Sequence, residues 1–381
     1  MLSDLAAIVL AAGSSSRMSC FKPLAPLGDS TVLEQVLNTL RSAGVGQVLV
    51  VSGHRSEDLA PVVASAGGRL VFNSHHLDGM FTSVQAGVNA LDQKCPGFFL
   101  LPADIPLIRV STLRRMSREF TRENIDLVHP VFLGRRGHPP IISLRLLPWI
   151  MQSDGRGGLR HVLGRFEQAR PDSVMPLPVA DSGIIRDMDT EEDYRKVYQR
   201  FAARGLPNAE ECQALLDLAD TPERVRWHGR AVARVAVALG LAVNQGIAPG
   251  DILDLERIER AALLHDLAKG LPMHEQKGGH MLEEAGFTDI AGIVASHRDL
   301  DPEPGSSISE REVVFLADKM VIGTELVPLE KRYNLTSERY GADPEARKAI
   351  AERRQRAYKV AARVEAAMGR TLADVAAKVS E

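Results

Sequence analysis

Short runs that are apolar at nearly every position recur through the first half of the chain: "AAIVLAAG", "QVLVVSG", "RLVFN", "GFFLLPAD" and "DLVHPVF". Between them lie stretches with apolar residues at helical spacing, such as "STVLEQVLNTLRSAG" and "FTSVQAGVNAL". A strand that is apolar on both faces is covered on both faces, and parallel strands need helical crossovers between them. The pattern therefore predicts a doubly wound α/β domain with a parallel sheet over residues 1–200.

From about Glu210 the strand signals vanish. Helical segments follow: "ERVRWHGRAVARVAVALGLAV", "ILDLERIERAALLHDLAK", "REVVFLADKMVIG" and "ARKAIAERRQRAYKVAARVEAAMG". This half is predicted to be an all-α domain over residues 220–381. The break at Gly205–Leu206–Pro207 places a linker at 201–219. The basic and acidic helices beyond about residue 340 are expected to be a solvated packing face.

Composition changes this picture little. Of 381 residues, 45% are hydrophobic and 25% charged, which is ordinary for globular domains, and the length suits two of them. A formal net charge of −3 gives no global attraction to nucleic acid or to an anionic membrane. Cys20, Cys95 and Cys212 lie far apart and form no C-x-x-C pair, so a reducing cytoplasm is the expected compartment. The opening apolar run from Leu5 to Ala12 is too short to span a bilayer and has no basic leader.

Chemistry enters with "VLAAGSSSRM" at 9–18, a loop after a predicted strand. It is neither a Walker A loop nor G-x-G-x-x-G. Gly13 permits close backbone approach to a ligand, the serines add donors, and Arg17 and Lys22 bring positive charge. In "LLPADIP", Asp104 falls at the C-terminal end of a predicted strand, where open α/β sheets bind ligands and where one carboxylate suits Mg²⁺. "GMFTS" opens a helix, "GRRGHPP" and "SDGRGGLR" are glycine-rich loops, and "RDMDTEEDY" sets Asp187 and Asp189 before a helix with Thr190 as its N-cap.

This order of elements resembles the nucleotidyltransferases that attach a nucleotide to molybdopterin, over roughly residues 5–200. The resemblance implies that Leu10, Ala11, Ala12, Gly13, Ser14, Arg17, Lys22, Asn73, Gly79, Ser83 and Asp104 bind the nucleotide. It implies catalytic roles for Arg17, Lys22 and Asp104, and Mg²⁺ at Asp104 with Asp187 or Asp189. Ala12 is more similar to the cytidylyl branch, which makes CTP the favoured nucleotide. Ser19 departs from the family, where glycine commonly follows the Arg–Met pair. The implied reaction is attack of an acceptor phosphate on the α-phosphorus, with pyrophosphate leaving.

The second half carries a different set. His228 sits in an amphipathic helix, and His265 and Asp266 are adjacent in the apolar helix "ALLHDLAKG". His274, His280, His297 and Asp318 follow. Imidazole with carboxylate suits first-row transition metals, and unpaired buried charge is costly. The ordered set resembles the HD-domain metal-dependent phosphohydrolases over roughly 220–330, through "WHGRAVA", "LLHDLAKG", "HEQKGG", "ASH" and "LADK". The resemblance implies that His228, His265, Asp266, His274, His297 and Asp318 hold one or two ions of Mn, Fe, Co or Zn. It implies that Lys269 lies near the substrate phosphate. His280 is the alternative to His274.

The expected protein is thus a bifunctional enzyme. It transfers CMP to a molybdopterin-type cofactor and hydrolyses a phosphoester or nucleotide. A molybdoenzyme or its maturation chaperone is the implied protein partner. The alternative is transfer to a sugar or isoprenoid phosphate, with the second half a metal-organised nucleotide-sensing module.

Overall fold

The computed structural model describes residues 2–13, 18, 20–92, 94–303 and 305–380. Ser14, Arg17 and Ser19, singled out above in the first loop, lie outside the described residues. The chain divides into two units, Met1–Arg204 and Gly205–Glu381. No helix among the described residues is long and apolar enough to cross a membrane.

The first unit is built on strands β1 (Ala6–Ala11), β4 (Gln47–Ser52), β5 (Arg69–Phe72), β6 (Gly97–Pro102), β7 (Leu127–Phe132), β8 (Arg135–Arg136), β9 (Ile141–Ser143) and β10 (Val174–Pro178). A separate hairpin pairs β2 (Pro26–Leu27) with β3 (Ser30–Thr31). The main sheet runs in the order β10-β7-β9-β6-β1-β4-β5, with β8 on β7. Pairs among β5, β4, β1 and β6 are parallel, as the apolar runs require. The sheet is not parallel throughout: β9 runs antiparallel to both β6 and β7, and β8 antiparallel to β7. The fold is therefore a mixed α/β sheet. β9 was missed because "IIS" is too short an apolar run to register as a strand.

Helices α1 (Val32–Ala43), α2 (Ser56–Ser65), α3 (Met80–Asn89), α4 (Val110–Phe120), α5 (Leu147–Met151), α6 (Gly158–Ala169) and α7 (Glu191–Ala202) complete the unit. Thr31 with Glu34, and Thr190 with Asp193, close reciprocal capping boxes at α1 and α7, satisfying orphan N–H groups at each start. Ile8, Leu49, Val51, Phe98 and Leu100 from the sheet pack with Val84, Val88 and Phe166 from α3 and α6.

The second unit holds α8 (Ala209–Leu218), α9 (Glu223–Gly246), α10 (Leu255–Leu264), α11 (His274–Ala285), α12 (Thr288–Ser296), α13 (Glu310–Lys319), α14 (Leu329–Tyr340), α15 (Pro344–Met368) and α16 (Leu372–Ser380). The 201–219 segment is not a free linker. It contains the end of α7 and all of α8, where Cys212, Leu215 and Leu216 are buried. Nor is the unit purely helical: a short antiparallel hairpin joins β11 (Val321–Ile322) to β12 (Glu325–Leu326). Its glycine turn lies inside a segment whose apolar content reads as helix.

Candidate functional site

β1 is flanked by β4 on one side and β6 on the other, so the direction of winding reverses there. Leu10 pairs with Pro102 at the carboxyl ends of β1 and β6. The loops that follow, Ala12–Gly13 and Ala103–Asp104, therefore emerge side by side. Open α/β sheets bind ligands at such a point. A cleft of ≈ 320 Å³ sits here, lined by Leu10, Ala11, Ala12, Gly13, Lys22, Ser83 and Asp104 among others. A Cβ built on Gly13 would meet nothing within 4 Å, so this backbone is open to a ligand.

Lys22 reaches both acids, with Nζ 2.7 Å from Asp189 Oδ1 and 3.6 Å from Asp104 Oδ2. Met188 is fully buried with Leu27, Val32 and Val197, which anchors the segment carrying Asp187 and Asp189. Burial raises the Asp104 carboxyl above its ordinary range, Lys22 opposes this, and the charges of Asp187 and Asp189 add to it. Three carboxylates against one ammonium is a donor set suited to a hard divalent cation.

Other expected binding residues are placed differently. Asn73 is buried and its amide is consumed locally: Nδ2 donates to Thr82 and Ser83, each at 2.9 Å, and Oδ1 accepts from the His75 N–H. It shapes the cleft wall through Ser83. Gly79 precedes α3 at φ 110°, a conformation that favours glycine, and does not line the cleft. The sequence reading missed His76, Met80 and Pro23, which do line it. "HHLDGM" was the available signal for two of them.

In the second unit, helix packing decides the site. Gly229 on α9 lets that helix approach α10; a Cβ there would lie 2.8 Å from the Leu263 carbonyl oxygen. This close crossing brings His228 against His265, with ring centroids 5.2 Å apart. Gly279 does the same for α11 against α12, where a Cβ would meet the Ala291 carbonyl at 2.8 Å. His274 and His297 then stand 5.3 Å apart. His265 and Asp266 lie in the turn just after α10, not in a helix. Their neighbours make short-range bonds instead, Leu267 to Leu264 and Lys269 to Asp266.

Three imidazoles are fixed from behind. Nδ1 of His228, His265 and His297 faces the carbonyls of Gly323, Ala262 and Val294 at 2.8, 2.7 and 2.7 Å. A carbonyl only accepts, so Nδ1 donates and Nε2 is left as a lone-pair donor facing inward. Asp266 Oδ1 lies 3.2 Å from His274 Nε2 and 3.5 Å from His297 Nε2; Asp266 Oδ2 lies 3.5 Å from His265 Nε2. Asp318 Oδ1 lies 3.2 Å from His228 Nε2 and 3.6 Å from His265 Nε2. Two groups thus have ligand atoms mutually within 4.8 Å: His228, His265 and Asp266, and Asp266, His274 and His297. His265 Nε2 is fully buried with no hydrogen-bond partner among the described residues. A nitrogen lone pair buried without a partner among carboxylates fits a divalent metal.

Electrostatics agree. Burial alone would lower His265, but the Asp266 carboxylate 3.5 Å away, with the charge of Asp318, outweighs it and raises it. The Asp266 and Asp318 carboxyls are held well below the ordinary range, against burial, by histidines and, at Asp318, first of all by Lys319. Lys269 pairs with Asp266 at 2.9 Å. His280 is exposed and faces Glu284, so the structure brings His274, not His280, to the cluster. Lys319 was missed: its buried ammonium donates to Asp318 Oδ2 at 2.7 Å and to the His297 carbonyl at 3.0 Å. It stands next to Asp318 in "LADK", and an ammonium beside a buried acid was the signal.

Comparison with known proteins gives two domain matches. Residues 7–170 match the MobA-like NTP transferase domain and residues 227–321 match the HD domain. The molybdenum cofactor cytidylyltransferase of Escherichia coli (strain K12) is 27% identical over 203 residues, covering 52% of this chain and 98% of that protein. The bifunctional protein GlmU of Burkholderia pseudomallei (strain K96243) is 31% identical over 325 residues, covering 84% of this chain but 64% of that protein. Rv0371c from Mycobacterium tuberculosis H37Rv is similar at 26% identity and a TM-score of 0.45, over 51% of this chain and 97% of that one. The chain joins an NTP transferase domain to an HD domain.

Proposed function

We propose that this chain couples two activities, transfer of CMP from CTP to the phosphate of a molybdopterin-type cofactor and hydrolysis of a phosphoester. For the first unit, the supporting observation is end-to-end similarity to a cytidylyltransferase, joined to a cleft where Lys22 and three carboxylates meet. A phosphate oxygen of the acceptor attacks the α-phosphorus of CTP. The bond to the bridging oxygen breaks, and pyrophosphate leaves with the electron pair. No side-chain nucleophile is required, so the protein acts by positioning and by charge compensation. Backbone at Ala12 and Gly13 lies against the phosphates, and Lys22 carries positive charge to the triphosphate. Asp104, with Asp187 and Asp189 beside it, would hold Mg²⁺, whose chemistry there would be charge stabilisation on the transferring and leaving phosphates. Arg17 is assigned to the same phosphates from its sequence position.

For the second unit, the carrying observation is Asp266 standing between two sets of inward-facing imidazoles. His228, His265, Asp266 and Asp318 are the residues that would hold one divalent transition metal, and Asp266, His274 and His297 those that would hold a second. Bound ions supply Lewis-acid polarisation of a phosphoryl oxygen. Lys269, half exposed at the cluster, is placed to meet a substrate phosphate.

The test uses the full chain carrying His265→Ala, which silences the second site. Mg²⁺, molybdopterin-type cofactor and each NTP in turn are supplied, and pyrophosphate is followed. Release with CTP that depends on the cofactor and is lost in Asp104→Ala is the expected result. No release with any NTP from folded protein rejects the acceptor and moves the search to sugar and isoprenoid phosphates.

A further inference from the structure

A groove of ≈ 790 Å³ runs along the second unit, and no residue of the His/Asp cluster lines it. Trp227, Arg230 and Arg234 of α9 form one wall. Glu259 and Leu263 of α10, Thr324 of the β11–β12 turn and Val379 of α16 also line it.

Three features of this wall lack a structural reason. Trp227 is 53% exposed, although tryptophan is usually well buried. Arg230 and Arg234 are exposed and make no ion pair or hydrogen bond among the described residues. They stand one helical turn apart, where like charges repel, and a shared anion would reverse that cost. The acid across the groove does not answer them, since Glu259 Oε2 is 2.9 Å from the Arg260 guanidinium. Positions 227, 230 and 234 fall on one helix face, so ring and guanidinium groups are presented together.

We propose that this groove binds a nucleotide, with the base stacked on Trp227 and the phosphate held between Arg230 and Arg234. An aromatic plate beside two unpaired cations matches a ligand that carries both a π-face and an anion. The volume lies in the range of small-molecule sites, roughly 300–1,000 Å³, which suits one nucleotide. The site also borders the cluster through the backbone. Trp227 precedes His228, Leu263 lies two residues before His265, and Thr324 follows Gly323, whose carbonyl orients His228. The proposal does not need the cluster to be catalytic.

The chain has two tryptophans, Trp149 and Trp227, so Trp149→Phe in the full chain leaves Trp227 as the only indole. Its fluorescence is titrated with CMP, AMP, cytidine and inorganic phosphate, with free tryptophan as the optical control. Saturable quenching by a nucleotide is expected, weakened by salt and weaker for cytidine. Arg230→Glu with Arg234→Glu should raise the apparent Kd by about tenfold or more, and both sites are exposed enough to preserve folding, checked by circular dichroism. Quenching should persist in metal-stripped Asp266→Asn protein. No nucleotide response, or a response unchanged by the double charge reversal, overturns the proposal. Quenching that vanishes on metal removal assigns the ligand to the cluster and also overturns it. So does burial of Trp227 by self-association, read by light scattering. Phosphoester turnover is assayed separately, so failure of that reading leaves this result untouched.

Discussion

The two units assemble their charged groups by opposite means. In the second, imidazoles converge on shared carboxylates, and three of them are tied from behind to backbone carbonyls, two in the last turns of α10 and α12 and one in the β11–β12 turn. In the first, carboxylates crowd against one lysine at the mouth of a sheet, and burial raises Asp104. The arrangement in the second unit is rigid and nitrogen-rich, which suits a tightly held transition metal. That in the first unit is oxygen-rich and open, which suits a cation that arrives with a nucleotide.

The largest expected effect breaks the rigid side. Asp266 is shared by two groups of histidines, so Asp266→Asn should release metal from both. Metal content of the purified full chain should fall, and phosphoester hydrolysis should drop by on the order of 10³-fold or more. Pyrophosphate release by the first unit should not change. Hydrolysis that continues in metal-free protein would sink the assignment.

The equivalent change in the open site is Asp104→Asn. Nucleotidyl transfer should fall by roughly 10²- to 10³-fold. Stability should move the other way in Mg²⁺-free buffer. The folded carboxyl sits above the ordinary aspartate value of 3.8, so between the two values the native state binds more protons than the unfolded one. Stability then declines as pH rises through that window, and the neutral isostere removes the decline. Trp227→Phe leaves Trp149 as a reporter confined to the first unit, and its melting curve near neutral pH decides the sign. A lower Tm for Asp104→Asn without Mg²⁺ would contradict burial as the dominant influence on this carboxyl.

Much of this contrast was readable in the chain, for identifiable reasons. Apolar runs such as "AAIVLAAG" and "GFFLLPAD" announced β1 and β6, because a strand covered on both faces has no alternation to blur. The ordered histidines and aspartates announced the cluster, and the structure gathers all six of the residues expected there. Antiparallel β9 and the β11–β12 hairpin were not legible, being three and two residues long per strand. Nor was the turn holding His265 and Asp266, since "ALLHDLAK" keeps helical apolar spacing past the end of α10. Asn73 was assigned to a ligand, but its amide is spent on Thr82, Ser83 and His75. Side-chain bonding between loops leaves no periodic trace in sequence.

Lys319 sharpens the rigid side. Its ammonium joins the Asp318 carboxylate to the carbonyl of His297, fixing one ligand from each of two elements. It touches no substrate and acts as a positioning residue. Lys319→Met should weaken metal binding by about 10- to 100-fold, the usual cost of losing such a supporting partner. Stability should fall by roughly 3–5 kcal/mol, because Asp318 loses a buried counter-charge. Excess Mn²⁺ should restore most turnover while the Tm stays low. Turnover that excess metal does not restore would mean Lys319 acts on the reaction itself.

The smallest effect tests whether the number of facing carboxylates, and not burial, sets His265 apart from another buried histidine. His129 on β7 is also buried against a carboxylate, with Nε2 2.9 Å from Glu167 Oε1. Yet burial lowers His129, whereas His265 is raised. The difference lies in the partner: Glu167 is also held by Arg136 at 2.8 and 2.9 Å, so its charge is divided, while His265 faces two carboxylates. A histidine lowered in the folded state binds fewer protons than in the unfolded chain just below the ordinary histidine value of 6.5. Stability of the first unit therefore rises with pH through that window and is lost as pH falls. His129→Gln keeps a donor toward Glu167 but cannot titrate, so the slope of Tm against pH just below 6.5 should flatten. The slope from Glu167, lowered from 4.5, falls in a more acidic range and should remain. A Trp149-monitored series that keeps its full slope near 6.5 after the substitution would show that His129 is not the titrating group.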